Sequence, residues 1–278
     1  MTSSSKQLLL VGRGPWSTKI ATAIAREDLD IKVELISARS LLIDVNPIQE
    51  STFKYIWLCT RPDLQSKLLS HLSGIDSIII LEKPFAVAES GFRDIHESKA
   101  YVSGRVRQSR VWKYSPIWQY FMANRPNEIT KIEINRGSPV QNSVLPLPED
   151  WISHDLYLLT DLFGENVLPI EIKEASCIDE KLNCIFSLKN ASVVIHMAIG
   201  KFNEKCANWI IHSGGKTSKI DFLTSTYQEF DPGKTIVIEG KDAIHSMLSD
   251  FENADKKALD LDWNLQKFFV TKVLVQAR

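Results

Sequence analysis

Asp150 and His154 stand four residues apart, in Asp150-Trp-Ile-Ser-His154, at the head of an apolar-periodic segment, WISHDLYLLTDLFG, that closes on Gly164. The helical period of that segment predicts an amphipathic helix opening at Asp150, and positions i and i+4 then share one face. A carboxylate beside an imidazole raises its basicity and fixes its orientation, as a general acid or base needs near neutral pH. Asp150 also has the chemistry of a helix N-cap, and a lone helical histidine is more often structural. What shifts the balance toward chemistry lies upstream.

Gly12-Arg-Gly14-Pro15-Trp16-Ser17 directly follows an apolar run and opens a helical pattern, the position of a dinucleotide-binding turn. Gly12 permits the tight turn, and Gly14 lets the backbone approach a pyrophosphate that can sit on the helix N-terminus. Ser17, in the place of the third glycine, is small enough for close helix–strand packing. The second strand ends in Ser37-Ala-Arg39-Ser40, with no acid before Asp44. Hydroxyls and a guanidinium suit a ribose 2′-phosphate, so NADP is expected in preference to NAD. Cys59-Thr60-Arg61-Pro62 ends the third strand, where the cofactor's backbone and nicotinamide ribose would pass. Glu82-Lys83-Pro84 ends the fourth. A lysine there points into the crevice where such sheets bind ligands, with Glu82 beside it to orient it or pair with it.

These residues need a frame. LLLVG (8–12), KVELISA (32–38), FKYIWLCT (53–60) and SIIILEKP (77–84) are apolar runs separated by helical patterns. That alternation predicts a doubly wound parallel sheet. After about residue 100 the pattern becomes polar–apolar alternation, from YVSGRVRQSRVWKY through ITKIEINRG, KLNCIFSLKN, ASVVIHMAIG and ANWIIHSGG to KTIVIEG, as in antiparallel strands with one exposed face. The tail from residue 243 has helical spacing. The expected fold class is α/β: a Rossmann domain over 1–103, then an α+β domain over 104–278 with a large open, mainly antiparallel sheet. Ile and Val on an open face would form an apolar patch, so a homodimer or larger homo-oligomer is expected.

The glycine turn, Thr60–Pro62, Glu82-Lys83-Pro84 and Asp150-x-x-x-His154 together resemble the Gfo/Idh/MocA oxidoreductases, over most of the chain. The resemblance implies a Rossmann domain followed by an α/β domain with an open sheet. It also implies that Lys83, Asp150 and His154 match the catalytic lysine, aspartate and histidine. His154 would exchange the proton of a substrate hydroxyl, Asp150 would orient it, and Lys83 would hold the substrate oxygen. The substrate implied is a sugar, nucleotide-sugar or cyclitol; an imine reductase and a non-catalytic NAD(P)-binding sensor are the alternatives. The chain departs from the family in Ser17, in a shortened second domain and in a loop before Asp150 without glycines.

Trp112, Tyr114 and Trp118 are candidates to line a substrate pocket, although aromatic residues at this spacing are more often core. Arg105, Arg107 and Arg110 form a local basic cluster, more readily a solvated strand face than a phosphate contact. His196, His212 and His245 receive no role. A formal net charge of −1 argues against a nucleic-acid or membrane partner. Cys59, Cys177, Cys184 and Cys206 have no metal-ligand spacing, so no metal is expected, and free thiols fit a cytoplasmic location. The expected partner is a small-molecule substrate.

Overall fold

Leu8, Leu9, Leu10 and Val11 are at most 1% exposed, so this strand is covered on both faces, as a parallel sheet between helices requires. In the computed structural model, which describes residues 6–26, 30–44, 53–140, 145, 147–230, 233–250 and 256–277, the run is β1 (Lys6–Val11). It lies between β2 (Ile31–Ile36) and β3 (Tyr55–Leu58), with β4 (Ile78–Leu81) and β5 (Val106–Gln108) beyond; the order is β2-β1-β3-β4-β5, parallel throughout. Helices α1 (Pro15–Arg26), α2 (Ala38–Ile43), α3 (Pro62–His71), α4 (Glu89–His96) and α5 (Lys99–Val102) lie between the strands in sequence. The chain leaves β1 toward β2 and returns to β3 on its other side, which makes the β1/β3 ends the topological switch point of a doubly wound sheet.

One strand differs from expectation. The segment YVSGRVRQSRVWKY does not join the antiparallel sheet: Val106–Gln108 pairs in parallel with β4, and Val111–Tyr114 is a turn of 3-10 helix. Alternation of apolar residues does not distinguish a short edge strand of one sheet from a strand of another. By its contacts the chain forms two units, residues 1–109 with 244–259, and residues 110–243 with 260–278.

The second unit is built on an eight-stranded sheet ordered β13-β12-β11-β10-β6-β9-β8-β7. Its strands are β6 (Lys131–Ser138), β7 (Ile170–Ile178), β8 (Lys181–Leu188), β9 (Val193–Lys201), β10 (Cys206–Ser213), β11 (Lys216–Asp221), β12 (Thr226–Glu229) and β13 (Lys234–Val237). β6 and β9 pair in parallel and the rest antiparallel. α6 (Pro116–Ala123) packs on β11 and β12, and α7 (Leu147–Phe163) on β6, β8 and β9. The core between them includes Ile134, Phe186, Ile195, Trp209 and Ile220, all fully buried. On the opposite face, Ile185, His196, Glu133 and Ile210 stand in register, all half-buried. Lys131 and His212 bond Glu133 there at 2.7 and 3.1 Å. The expected Ile/Val patch is therefore interrupted by charge.

Helix α7 starts at Leu147, one turn earlier than the periodicity indicated, so Asp150 lies inside the first turn and is not the N-cap. Pro148 at the second helical position and the acids Glu149 and Asp150 both favour a helix start there. Gly164, at φ +55°, follows the helix in the left-handed region. The helical tail comprises α8 (Ala243–Asp250), α9 (Lys256–Phe268), a π-turn at Phe269–Val273 and α10 (Leu274–Ala277). The expected helix at 251–255 and the loop at 141–144 and 146 lie outside the described residues. Among the described residues, no helix is long and apolar enough to cross a membrane.

Candidate functional site

The candidate residues form two groups, one on each unit. In the first unit, Gly12 has φ +126° and a Cβ there would stand 2.3 Å from the Cys59 carbonyl oxygen, so only glycine fits the turn. Gly14 differs: a Cβ would meet nothing within 4 Å. The chain itself imposes no need for glycine there, and the open space lies at the N-terminus of α1, which has no acid in its first turn. That is where a pyrophosphate would approach. Ser17 is fully buried and its hydroxyl donates to the Gly14 carbonyl at 2.8 Å, closing the turn from within. Pro15 is exposed and Trp16 half-buried.

Glu82 is the centre of this group. Its Oε1 accepts from Trp16 Nε1 at 2.5 Å and from Trp57 Nε1 at 2.8 Å. Its Oε2 accepts from the Lys83 backbone N–H at 3.4 Å. Burial pushes the Glu82 carboxyl up, against the indole and Ser109 donors and the Lys83 charge, which lower it. Glu82 thus ties the glycine turn, through Trp16, to the end of β4. Gln65, which the sequence reading missed, donates to the Glu82 and Pro84 carbonyls at 3.0 and 3.3 Å and fixes the Glu82–Pro84 turn from α3. Gln108, at the end of β5, is 4% exposed, and both its amide atoms lack a hydrogen-bond partner among the described residues. An orphaned amide at the ligand-binding edge of the sheet fits a bound polar group.

Lys83 is half-buried. Thr60 is half-buried, Arg61 is exposed and pairs with Asp63 at 2.7 Å, and Pro62 opens α3. At Cys59 burial pushes the thiol well up, and Glu82 adds to the effect. Ser37 caps α2, accepting from the Ser40 N–H at 3.0 Å, and its hydroxyl meets that of Ser40 at 2.7 Å. Arg39 is exposed on the first turn of α2.

In the second unit, Asp150 and His154 stand one turn apart on α7, both half-buried. His154 Nδ1 is 3.2 Å from the hydroxyl of Tyr157, which also accepts the Trp112 backbone N–H at 3.1 Å. The Trp112 ring meets His154 edge-on, with centroids 6.0 Å apart. Beneath them, Arg136 and Asp155 form a bidentate pair at 2.6 and 2.9 Å, and Asp155 also accepts from Trp209 Nε1 at 2.8 Å. The Arg136 guanidinium lies over the Trp112 ring at 4.9 Å. The sequence reading found Trp112 but not Tyr157, Asp155 or Arg136; the only signal for Tyr157 was its i+3 spacing from His154.

Trp118 is fully buried against Phe121 and Trp209, with its indole N–H given to Asp161 at 2.7 Å, so it is core. Tyr114 is half-buried, beside Lys113. The arginine cluster dissolves into separate tasks. Arg105 donates to the Ser73 and Ile75 carbonyls, Arg107 to those of Gly104 and Val106, and Arg110 pairs with the buried Asp262 at 2.5 Å. Asp262 also accepts from Thr160, and burial raises its carboxyl to about 6 despite Arg110.

No protein-family profile and no curated protein sequence matches the chain. Solved structures do. The UDP-N-acetylglucosamine 3-dehydrogenase GnnA of Acidithiobacillus ferrooxidans superposes with a TM-score of 0.76 at 15% identity, over 99% of this chain and 100% of that one. KijD10, a 3-ketoreductase of Actinomadura kijaniata solved with TDP-benzene and NADP, gives 0.78 at 11% identity, over 99% and 98%. Biliverdin reductase of Synechocystis, solved with biliverdin and NADP+, gives 0.71 at 12% identity, over 99% of each chain. The chain thus spans nearly the whole length of each of these structures. The likeness shows a shared fold: a Rossmann-like parallel sheet with helices, together with a large mixed, mostly antiparallel sheet.

Proposed function

We propose that this chain is an NAD(P)-dependent oxidoreductase of the Gfo/Idh/MocA type, working on a hydroxyl or keto carbon of a sugar, nucleotide-sugar or cyclitol. The observation that carries the proposal is the glycine turn at the switch point of the first sheet: Gly12 is required by the chain, whereas Gly14 faces open space at a helix N-terminus. A bound nicotinamide supplies or accepts the hydride. The protein binds, orients and moves the proton. Gly14, Pro15 and the N-terminus of α1 hold the pyrophosphate, while Trp16 is fixed by Glu82. Ser37, Arg39 and Ser40 meet a ribose 2′-phosphate, which favours NADP. Thr60, Arg61 and Pro62 lie along the nicotinamide side. His154 exchanges the proton of the substrate oxygen, Asp150, one turn before it, helps to orient it, and Lys83 holds that oxygen. Two of the three solved relatives are named for chemistry on a sugar nucleotide or a ketone, which supports the substrate class.

Fluorescence titration with NADPH and NADH tests the cofactor, and a panel of keto-sugar nucleotides, keto-cyclitols and imines tests turnover. NADPH is expected to bind at least about tenfold more tightly than NADH, the value of a charge-assisted phosphate contact, and Arg39→Ala to remove the difference. No binding of either nucleotide would sink the proposal. Tight binding without turnover across carbonyl and imine substrates would point to a sensor.

A further inference from the structure

We propose that Tyr157 is the positioning residue of His154: its buried hydroxyl donates to Nδ1, holds the ring in its Nε2–H tautomer and so aims a proton at the substrate oxygen. The catalytic half of this inference rests on the reading of His154 as acid/base; the geometric half does not.

Tyr157 is 1% exposed, so its hydroxyl is settled by protein groups and not by bulk solvent. One of those groups has a fixed sense. The Trp112 backbone N–H, 3.1 Å from Oη, can only donate, and it occupies a lone pair of the oxygen. The hydroxyl proton is then available to His154 Nδ1, at 3.2 Å. A neutral imidazole whose Nδ1 accepts carries its proton on Nε2. Positions 154 and 157 are neighbours on one helical face, so the contact needs no distortion of α7.

The ring is also held laterally. Trp112 and Tyr157 both meet it edge-on, at interplanar angles of 75° and 82°. Trp112 is backed by the Arg136 guanidinium, which Asp155 locks in place from the core. A continuous set of contacts thus runs from Asp155 through Arg136, Trp112 and Tyr157 to His154.

This arrangement gives the proton transfer a balanced form in the reducing direction. As negative charge develops on the substrate oxygen, the Nε2–H bond of His154 breaks and an O–H bond forms on the substrate. The Tyr157 O–H bond breaks and an Nδ1–H bond forms, so the imidazole remains neutral. The charge comes to rest on Tyr157 Oη, to which the Trp112 backbone N–H donates.

The test is a two-bond proton–nitrogen correlation spectrum of the full chain with labelled histidines, with His154 identified by its loss in His154→Gln. The ligand-free wild type is expected to show Nε2 protonated and Nδ1 as a hydrogen-bonded acceptor. Tyr157→Phe is expected to move the Nδ1 signal to that of an unbonded ring nitrogen. The same variant should lower kcat on the order of tenfold or more, short of the 10²–10⁴ lost with the ring itself, leaving KM and the NADPH Kd within about twofold. A wild type protonated on Nδ1, a Tyr157→Phe spectrum with Nδ1 unmoved, or a moved Nδ1 with unchanged kcat would each overturn the proposal. If Tyr157→Phe fails to fold, the wild-type spectrum alone decides the tautomer. A protein that binds no NADPH refutes the oxidoreductase reading separately, because the spectrum needs neither cofactor nor substrate.

Discussion

Removing the Asp155 carboxylate should sharply destabilise the second unit. Asp155 is fully buried and takes three donors: Arg136 Nε and Nη2 at 2.6 and 2.9 Å, and Trp209 Nε1 at 2.8 Å. Arg136 is itself only 3% exposed, so Asp155→Ala leaves a buried cation with no counter-charge at that site. Breaking one side of such a pair costs about 3–5 kcal/mol, and stranding the indole N–H about 1–3 kcal/mol more. Against a domain stability of about 5–15 kcal/mol this is a large part of the margin. At about 2–4 °C per kcal/mol, the melting temperature of the unit should fall by on the order of 10–30 °C. The double variant Arg136→Met/Asp155→Leu removes both charges together and should recover most of the loss, since a buried pair replaced by apolar groups is often neutral. Calorimetry and urea melts followed by tryptophan fluorescence measure both. The reasoning is refuted by a loss under about 1 kcal/mol for Asp155→Ala, or by a double variant no more stable than the single.

Three further outcomes follow from single features. Gly12→Ala puts a Cβ 2.3 Å from the Cys59 oxygen at φ +126° and should destabilise the first unit, whereas Gly14→Ala should melt like wild type and lose NADPH affinity; melting curves beside fluorescence titration separate the two. Asp262, raised by burial to about 6, keeps a proton in the folded state at pH values where the unfolded chain, with a carboxyl near the ordinary value of about 3.9, has lost it. Its contribution to stability is therefore full below about pH 4 and lost as pH rises through about 6, and Asp262→Asn should flatten that part of the melting-temperature curve. Despite the charges of Lys131, Glu133 and His212, the sheet face bearing Ile185 and Ile210 is proposed to join two copies of the chain; light scattering should then give about twice 31.5 kDa at micromolar concentration, and a monomer mass would refute it.

The first unit was legible in sequence because its signals are local. Continuous apolar strands, a glycine pair after β1 and a charged turn after β4 each declare themselves within a few residues. The antiparallel strands showed through alternation, except β12, whose TYQE sequence is polar and is a strand only because β11 and β13 flank it. What the sequence hid are the buried polar networks. Asp155 beside His154 resembles any surface residue of a helix until Arg136 and Trp209, 19 and 54 residues away, fold over it. Glu82 appeared as a partner for Lys83, but its main bonds go to two indoles 66 and 25 residues earlier. The start of α7 was misplaced because LPED is polar and proline-bearing, which suits a first helical turn as well as a loop.

The proposed proton transfer by His154 in an NADPH-dependent reaction is tested most directly by kcat and the NADPH Kd, measured side by side for wild type and His154→Ala. In His154→Ala kcat should fall about 10²–10⁴-fold with the Kd essentially unchanged, because the proton donor is not a cofactor contact. Wild-type kcat in His154→Ala, or a loss of activity that only tracks a loss of folded protein, would contradict it.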